Sequence, residues 1–90
     1  MYKLVFSERA KSDLAKLKKS EPNTFNKASK ILAELQEHPR TGTGQAERLK
    51  YYEQETWSRR LSGNHRLIYR IHNEFVKVLI LSAFGHYEDK

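Results

Sequence analysis

The chain has no cysteine, two prolines, four glycines and a single tryptophan in 90 residues. Without cysteine there is no disulfide, no thiolate nucleophile and no thiolate-bound zinc, so stability must come from packing. That usage fits a reducing compartment, and a cytoplasmic location is expected. Long hydrophobic runs are also missing: Val78 to Phe84, the longest apolar stretch, is interrupted by Ser82 and falls well short of the roughly 18 residues a spanning helix needs. The opening Met1-Tyr2-Lys3-Leu4-Val5-Phe6 runs straight into Ser7-Glu8-Arg9, without the apolar core or small-residue cleavage site of a signal peptide. No membrane partner is expected. Arg40 to Gln45 reads Arg-Thr-Gly-Thr-Gly-Gln, which lacks both the Gly-Lys-Ser/Thr of a Walker loop and the third glycine of a dinucleotide fingerprint. It reads as a surface connection that aims the next strand.

What the chain does have is positive charge. Seventeen Lys and Arg against eleven Asp and Glu leave +6, which points to an anionic partner. The two cation types are segregated: seven of the ten lysines lie between Lys3 and Lys30, and five of the seven arginines between Arg48 and Arg70. Guanidinium forks bind phosphate bidentately where ammonium groups act as point charges, so the arginine-rich half is the better candidate for a phosphate site.

The length suits one domain, residues 1–90, and the pattern predicts an α+β fold. Tyr2 to Phe6 reads as a strand, and Ser7 supplies an N-cap oxygen for a helix carrying Ala10, Leu14 and Leu17 on one face. Pro22 suits the first turn of a second helix, whose stripe is Phe25, Ala28, Ile31, Leu32 and Leu35 and which His38-Pro39 ends. The period then changes to two. Leu49 to Tyr52, Trp57 to Leu61, His65 to His72 and Phe75 to Phe84 read as strands with short links, hence an antiparallel sheet of about four to five strands with both helices on one face. Leu67, Tyr69 and Ile71 share one side of the third of these, Arg66, Ile68 and Arg70 the other. The arginine-bearing side is left open to bind something. Of Arg59 and Arg60, parity with Leu61 assigns Arg60 to the open face and leaves Arg59 to solubility.

The histidines do not suggest a metal site. His38, His65 and His72 are not spaced one helical turn apart, and no cysteine or carboxylate cluster completes a zinc shell. His65 faces the core side, where a structural hydrogen bond is expected, and His72 reads as edge surface. No cofactor is expected. Metal-free RNA cleavage needs a base for the 2′-hydroxyl proton, cations for the phosphorane-like oxygens and an acid for the departing 5′-oxygen. Glu47, Arg66 and His86 supply those chemical types. Lys50 and Arg60 can reinforce the anion site, and Tyr87 can stack on an unpaired base.

Four blocks carry a resemblance: Glu47-Arg48-Leu49-Lys50, Trp57-Ser58-Arg59-Arg60, His65-Arg66-Leu67-Ile68-Tyr69 and His86-Tyr87. In this order and spacing they resemble the Txe/YoeB branch of the RelE-like bacterial toxins, over nearly the whole chain. The resemblance implies a RelE-like, microbial-RNase-like fold and a ribosome-dependent mRNA endonuclease of a type II toxin–antitoxin system. By position, Glu47 resembles the general base, Arg66 the phosphate stabiliser and His86 the general acid, with Lys50, Arg60 and Tyr87 at supporting, RNA-binding positions. The implied partners are a cognate acidic antitoxin of the YefM/Axe kind, the ribosome with its mRNA, and operator DNA only through the antitoxin, with room for a homodimer. The alternatives are a non-catalytic ParE-like toxin, or a nucleic-acid-binding module for which +6 and exposed arginines suffice. The sequence departs from many relatives in continuing with Glu88-Asp89-Lys90, and it lacks the basic residue some carry just before the histidine.

Overall fold

The structure, a computed structural model, describes residues 1–85. Strand β1, Lys3–Phe6, leads into helix α1, Glu8–Ser20, whose N-terminus is capped as expected: Ser7 Oγ accepts from the Ala10 N–H at 3.0 Å. Glu21 separates α1 from α2, Pro22–Glu37, with proline in the first turn. After the Gly-Thr-Gly connection come β2 (Glu47–Arg48), β3 (Thr56–Arg60), β4 (Arg66–His72), a 3-10 turn over Asn73–Phe75, and β5 (Lys77–Ser82).

The five strands lie in the order β1-β5-β4-β3-β2. The expected α+β architecture holds, with both helices on one face. The sheet is mixed because β1 adds in parallel to β5, with Val5 opposite Leu79, while the other pairings are antiparallel. That parallel pairing is available because two helices lie between β1 and the later strands and give the chain length to cross over. Two strands depart from expectation by two residues or more, and the others by no more than one. The strand predicted over Leu49 to Tyr52 is instead the two-residue β2 at Glu47–Arg48, because Leu49 turns its side chain into the interior and Lys50 begins a turn. The last strand begins at Lys77 rather than Phe75, because Val76 takes a left-handed conformation (φ 50°) after the 3-10 turn.

The core lies between helices and sheet. Ala10, Leu17, Ala28, Ile31 and Leu35 from the helices meet Leu67, Tyr69, Ile71, Val78 and Ile80 from the strands. The polar residues of this layer are matched: Asp13 Oδ2 accepts from the Ala83 N–H at 3.0 Å, joining α1 to the end of β5.

Arg59 overturns the expectation that it serves solubility. It is fully buried on the helix side of β3, beside Tyr69. Its guanidinium donates to Tyr69 Oη at 2.9 Å, to Glu34 Oε1 at 3.2 Å and to the carbonyls of His38, Pro39, Thr41 and Thr43. A planar group with five N–H donors, some of them shared, can serve so many acceptors, where an aliphatic side chain would leave the His38, Thr41 and Thr43 carbonyls without this donor. Burial would raise the Glu34 carboxyl, but hydrogen bonds from the Thr43 side chain and backbone, with those and the charge of Arg59, hold it below the ordinary carboxylate range. Arg59 thus clamps the connection between α2 and the sheet. That connection then lends a carbonyl to the sheet, Gly44 O accepting from the Arg60 N–H at 2.6 Å.

Candidate active site

The face of the sheet opposite the helices is assembled by register. Ser58 pairs with Glu47 on one side and Ile68 on the other, Arg60 pairs with Arg66, and Thr56 with Arg70. Side chains of directly paired residues project from the same face, so Glu47, Ser58, Arg60, Arg66 and Arg70 share the open side. Arginine stems cover the small hydroxyls there. Arg66 Nη1 donates to Ser58 Oγ at 3.2 Å, Arg70 Nε to Thr56 Oγ1 at 3.4 Å, and both hydroxyl-bearing residues are buried.

Glu47 stands at the edge strand with its carboxylate exposed to water, and its Oε1 lies 3.9 Å from Arg66 Nη1. Arg60 and Arg66 are register partners on the same face. Like charges directly opposite one another destabilise a sheet, so a fold that places two guanidiniums there gives up some stability for a positive surface. A phosphate set on this pair could accept from both arginines, with the Glu47 carboxylate at the same end of the face.

Of the six residues singled out from the sequence, Glu47, Arg66 and Arg60 are brought to one end of the open face. Lys50 is exposed in the turn that leaves β2, at the same edge. His86 and Tyr87 lie outside the described residues. Ser58, which the sequence marks only as a member of the Trp57-Ser58-Arg59-Arg60 block, carries no separate signal of role. Among the described residues, no group of three histidine or acidic side chains converges as metal ligands, and no helix is long and apolar enough to cross a membrane.

The other half of the open face is apolar. Val5, Leu79 and Phe75, with His72 and Lys77, line an open groove of about 280 Å³. His72, expected as edge surface, is half-buried at its wall. Glu55 ties the sheet to the connection after α2 through Arg40. The hydrogen bond from Arg40 holds its carboxyl below the ordinary range against the effect of burial, and Trp57 Nε1 donates to it as well.

Two helices on one side of a five-stranded mixed sheet are also the architecture of solved bacterial toxins. The "YoeB/ParE toxin from Agrobacterium tumefaciens" superposes with a TM-score of 0.86 at 25% identity, over 94% of this chain and 99% of that one. The toxin in the heterotetrameric YoeB–YefM toxin–antitoxin complex from Staphylococcus aureus superposes at 0.79, also 25% identical, over 97% and 99%. In sequence, toxin YoeB of an Escherichia coli strain is 29% identical over 85 residues, which span 94% of this chain and 99% of the relative. Residues 6–87 match the family described as YoeB-like toxin of bacterial type II toxin-antitoxin system, and the chain belongs to that family.

Proposed function

We propose that the protein is a metal-independent mRNA endonuclease that acts on the ribosome and is held inactive by an acidic antitoxin. The observation that supports this best is the Glu47–Arg66–Arg60 arrangement, a carboxylate 3.9 Å from the guanidinium of one of two arginines paired in register on an open surface.

In this reading the RNA phosphate at the cut lies on Arg66 and Arg60, with Lys50 adding charge at the edge. Glu47 accepts the proton of the 2′-hydroxyl, and the 2′-oxygen attacks phosphorus as the P–O5′ bond breaks. The products are a 2′,3′-cyclic phosphate and a 5′-hydroxyl, the leaving oxygen taking a proton from His86. Arg66 acts most strongly where charge accumulates on the non-bridging oxygens, so it contributes more to the transition state than to the bound substrate. Tyr87 stacks on a neighbouring base. Two carboxylate–imidazole proton transfers and a guanidinium supply what a metal provides elsewhere.

One small basic face has few groups able to read bases, so the ribosome supplies orientation that the protein lacks. The partner that silences the toxin must compete for the same cations, which suits an acidic chain, and the Staphylococcus aureus relative is held in a complex with YefM. The test is cleavage of one defined mRNA with and without programmed ribosomes, with the cut ends identified. Ribosome-dependent cuts that leave cyclic phosphates, and that vanish when a 2′-deoxynucleotide stands at the cut, are expected. Cleavage that survives the deoxy substitution would exclude 2′-hydroxyl attack, and an intact mRNA would exclude the nuclease reading.

A further inference from the structure

Gly85 is held at both of its backbone groups by two consecutive residues. Its N–H donates to His65 Nδ1 at 2.8 Å, and its carbonyl accepts from the Arg66 N–H at 3.0 Å. The first bond sets the state of the imidazole. A ring nitrogen that accepts from an amide carries a lone pair, so the ring proton sits on Nε2, which donates to Glu21 Oε2 at 2.7 Å. Glu21 is the N-cap residue of α2, and Phe84 packs on the imidazole with ring centroids 4.2 Å apart. His65 is 5% exposed.

Neither ring nitrogen is free to do chemistry, and burial shuts the ring away from RNA. The arrangement instead resembles the way a carboxylate orients a ligand imidazole so that its other nitrogen meets a defined group. Here the group is the amide of Gly85, whose φ of +92° is a conformation that L side chains rarely adopt. Among the described residues a Cβ at this position would meet nothing within 4 Å, and the positive φ is what glycine provides there.

We propose that His65 is a positioning residue for RNA cleavage: together with the Arg66 backbone it fixes Gly85, the residue joined in the chain to His86. The inference rests on the functional reading above. Through adjacent main-chain positions it couples the guanidinium that binds phosphate to the residue assigned as proton donor, two groups that must reach the same phosphodiester. A displacement of about 1 Å in such a pair costs on the order of 100-fold in rate.

Two variants divide the roles of the ring. In His65→Asn the amide oxygen takes the place of Nδ1 and accepts from Gly85, while the contact with Glu21 is lost; in His65→Gln the amide nitrogen takes the place of Nε2 and keeps Glu21, while Gly85 loses its acceptor. Each removes one buried hydrogen bond, so a merely structural role moves both alike. Single-turnover cleavage on programmed ribosomes at saturating toxin is compared with ribosome affinity and melting temperature. The expected result is a loss of about 10- to 100-fold for His65→Gln, a loss of no more than about 3-fold for His65→Asn, and near-wild-type ribosome affinity for both. Equal rates for the two variants, or rates that simply follow melting temperature, would overturn the inference while leaving the nuclease reading intact. Wild-type protein that leaves ribosome-bound mRNA uncut would overturn the nuclease reading, and this inference with it.

Discussion

Glu47 and Arg66 face each other across the width of β3, carboxylate oxygen to guanidinium nitrogen at 3.9 Å, with Ser58 between them. The pair is loose and Glu47 is largely in water, and exposed ion pairs of this kind are worth only about 0–1 kcal/mol. In the proposed reaction an incoming phosphate takes the guanidinium at little cost, and the carboxylate is left for the 2′-hydroxyl.

Arg66 should separate charge from geometry. Arg66→Ala is expected to lower the single-turnover cleavage rate by about 10²–10³-fold and to weaken RNA binding as well. Arg66→Lys keeps the charge but loses the fork, so it should recover only part of the rate. Full activity in the lysine variant would mean that charge alone is needed.

Arg59 and Arg60 are adjacent and should behave oppositely in stability. Arg59→Met takes the guanidinium from Glu34 and removes the donor to the His38, Thr41 and Thr43 carbonyls, and breaking a buried charge pair of this kind costs about 3–5 kcal/mol. Arg60→Ala removes an exposed side chain and should stay within about 0.5 kcal/mol. Urea denaturation of the two variants measures the contrast, and similar midpoints would contradict the clamp.

That contrast also marks what could be read from the sequence. Apolar spacing located both helices and the alternating faces of β3 and β4, because burial of one face imposes a period on the residues that supply it. The same parity put Arg60 on the open side correctly. It also put Arg59 on the helix side, but a charged residue there looked like surface. Its acceptors are carbonyls of the chain between His38 and Thr43, and carbonyls leave no trace in residue types. The parallel pairing of β1 with β5 was hidden for a similar reason, since the partner of a strand distant in sequence is not encoded in its own alternation. For the candidate site, the spaced blocks marked Glu47, Arg60 and Arg66, and register then placed them on one surface. The double anchoring of Gly85 by His65 and Arg66 needed coordinates.

Gly44 should resist substitution. Its φ is +88°, and a Cβ would stand 2.7 Å from the Arg60 carbonyl oxygen and 3.2 Å from Ile31 Cδ1. Gly44→Ala is expected to cost about 1–3 kcal/mol. Gly63→Ala, where a Cβ meets nothing within 4 Å, should change stability by less than about 0.5 kcal/mol. Thermal melts of the two proteins compare them directly.

Acid should destabilise the fold through Glu34 and Glu55. Both have folded pKa values below the ordinary value of 4.5, so the folded state binds their protons less readily than the unfolded chain. Their contribution is complete above that value and is lost as pH falls through the lowered folded values. Unfolding free energy measured from pH 7 downward should decline in that acid window. Glu34→Gln, less stable at neutral pH, should show a shallower decline. A wild-type profile that stays flat through the window would contradict the assignment.

The central claim is that Glu47 removes a proton from RNA on the surface that Arg66 and Arg60 make. Its most direct test is the single-turnover rate of Glu47→Gln on mRNA in programmed ribosomes, with saturating toxin and with ribosome affinity measured alongside. A general base contributes typically about 10²–10⁴-fold, so a rate loss of that size with affinity near wild type is the predicted result. Cleavage by Glu47→Gln at the wild-type rate would contradict the account.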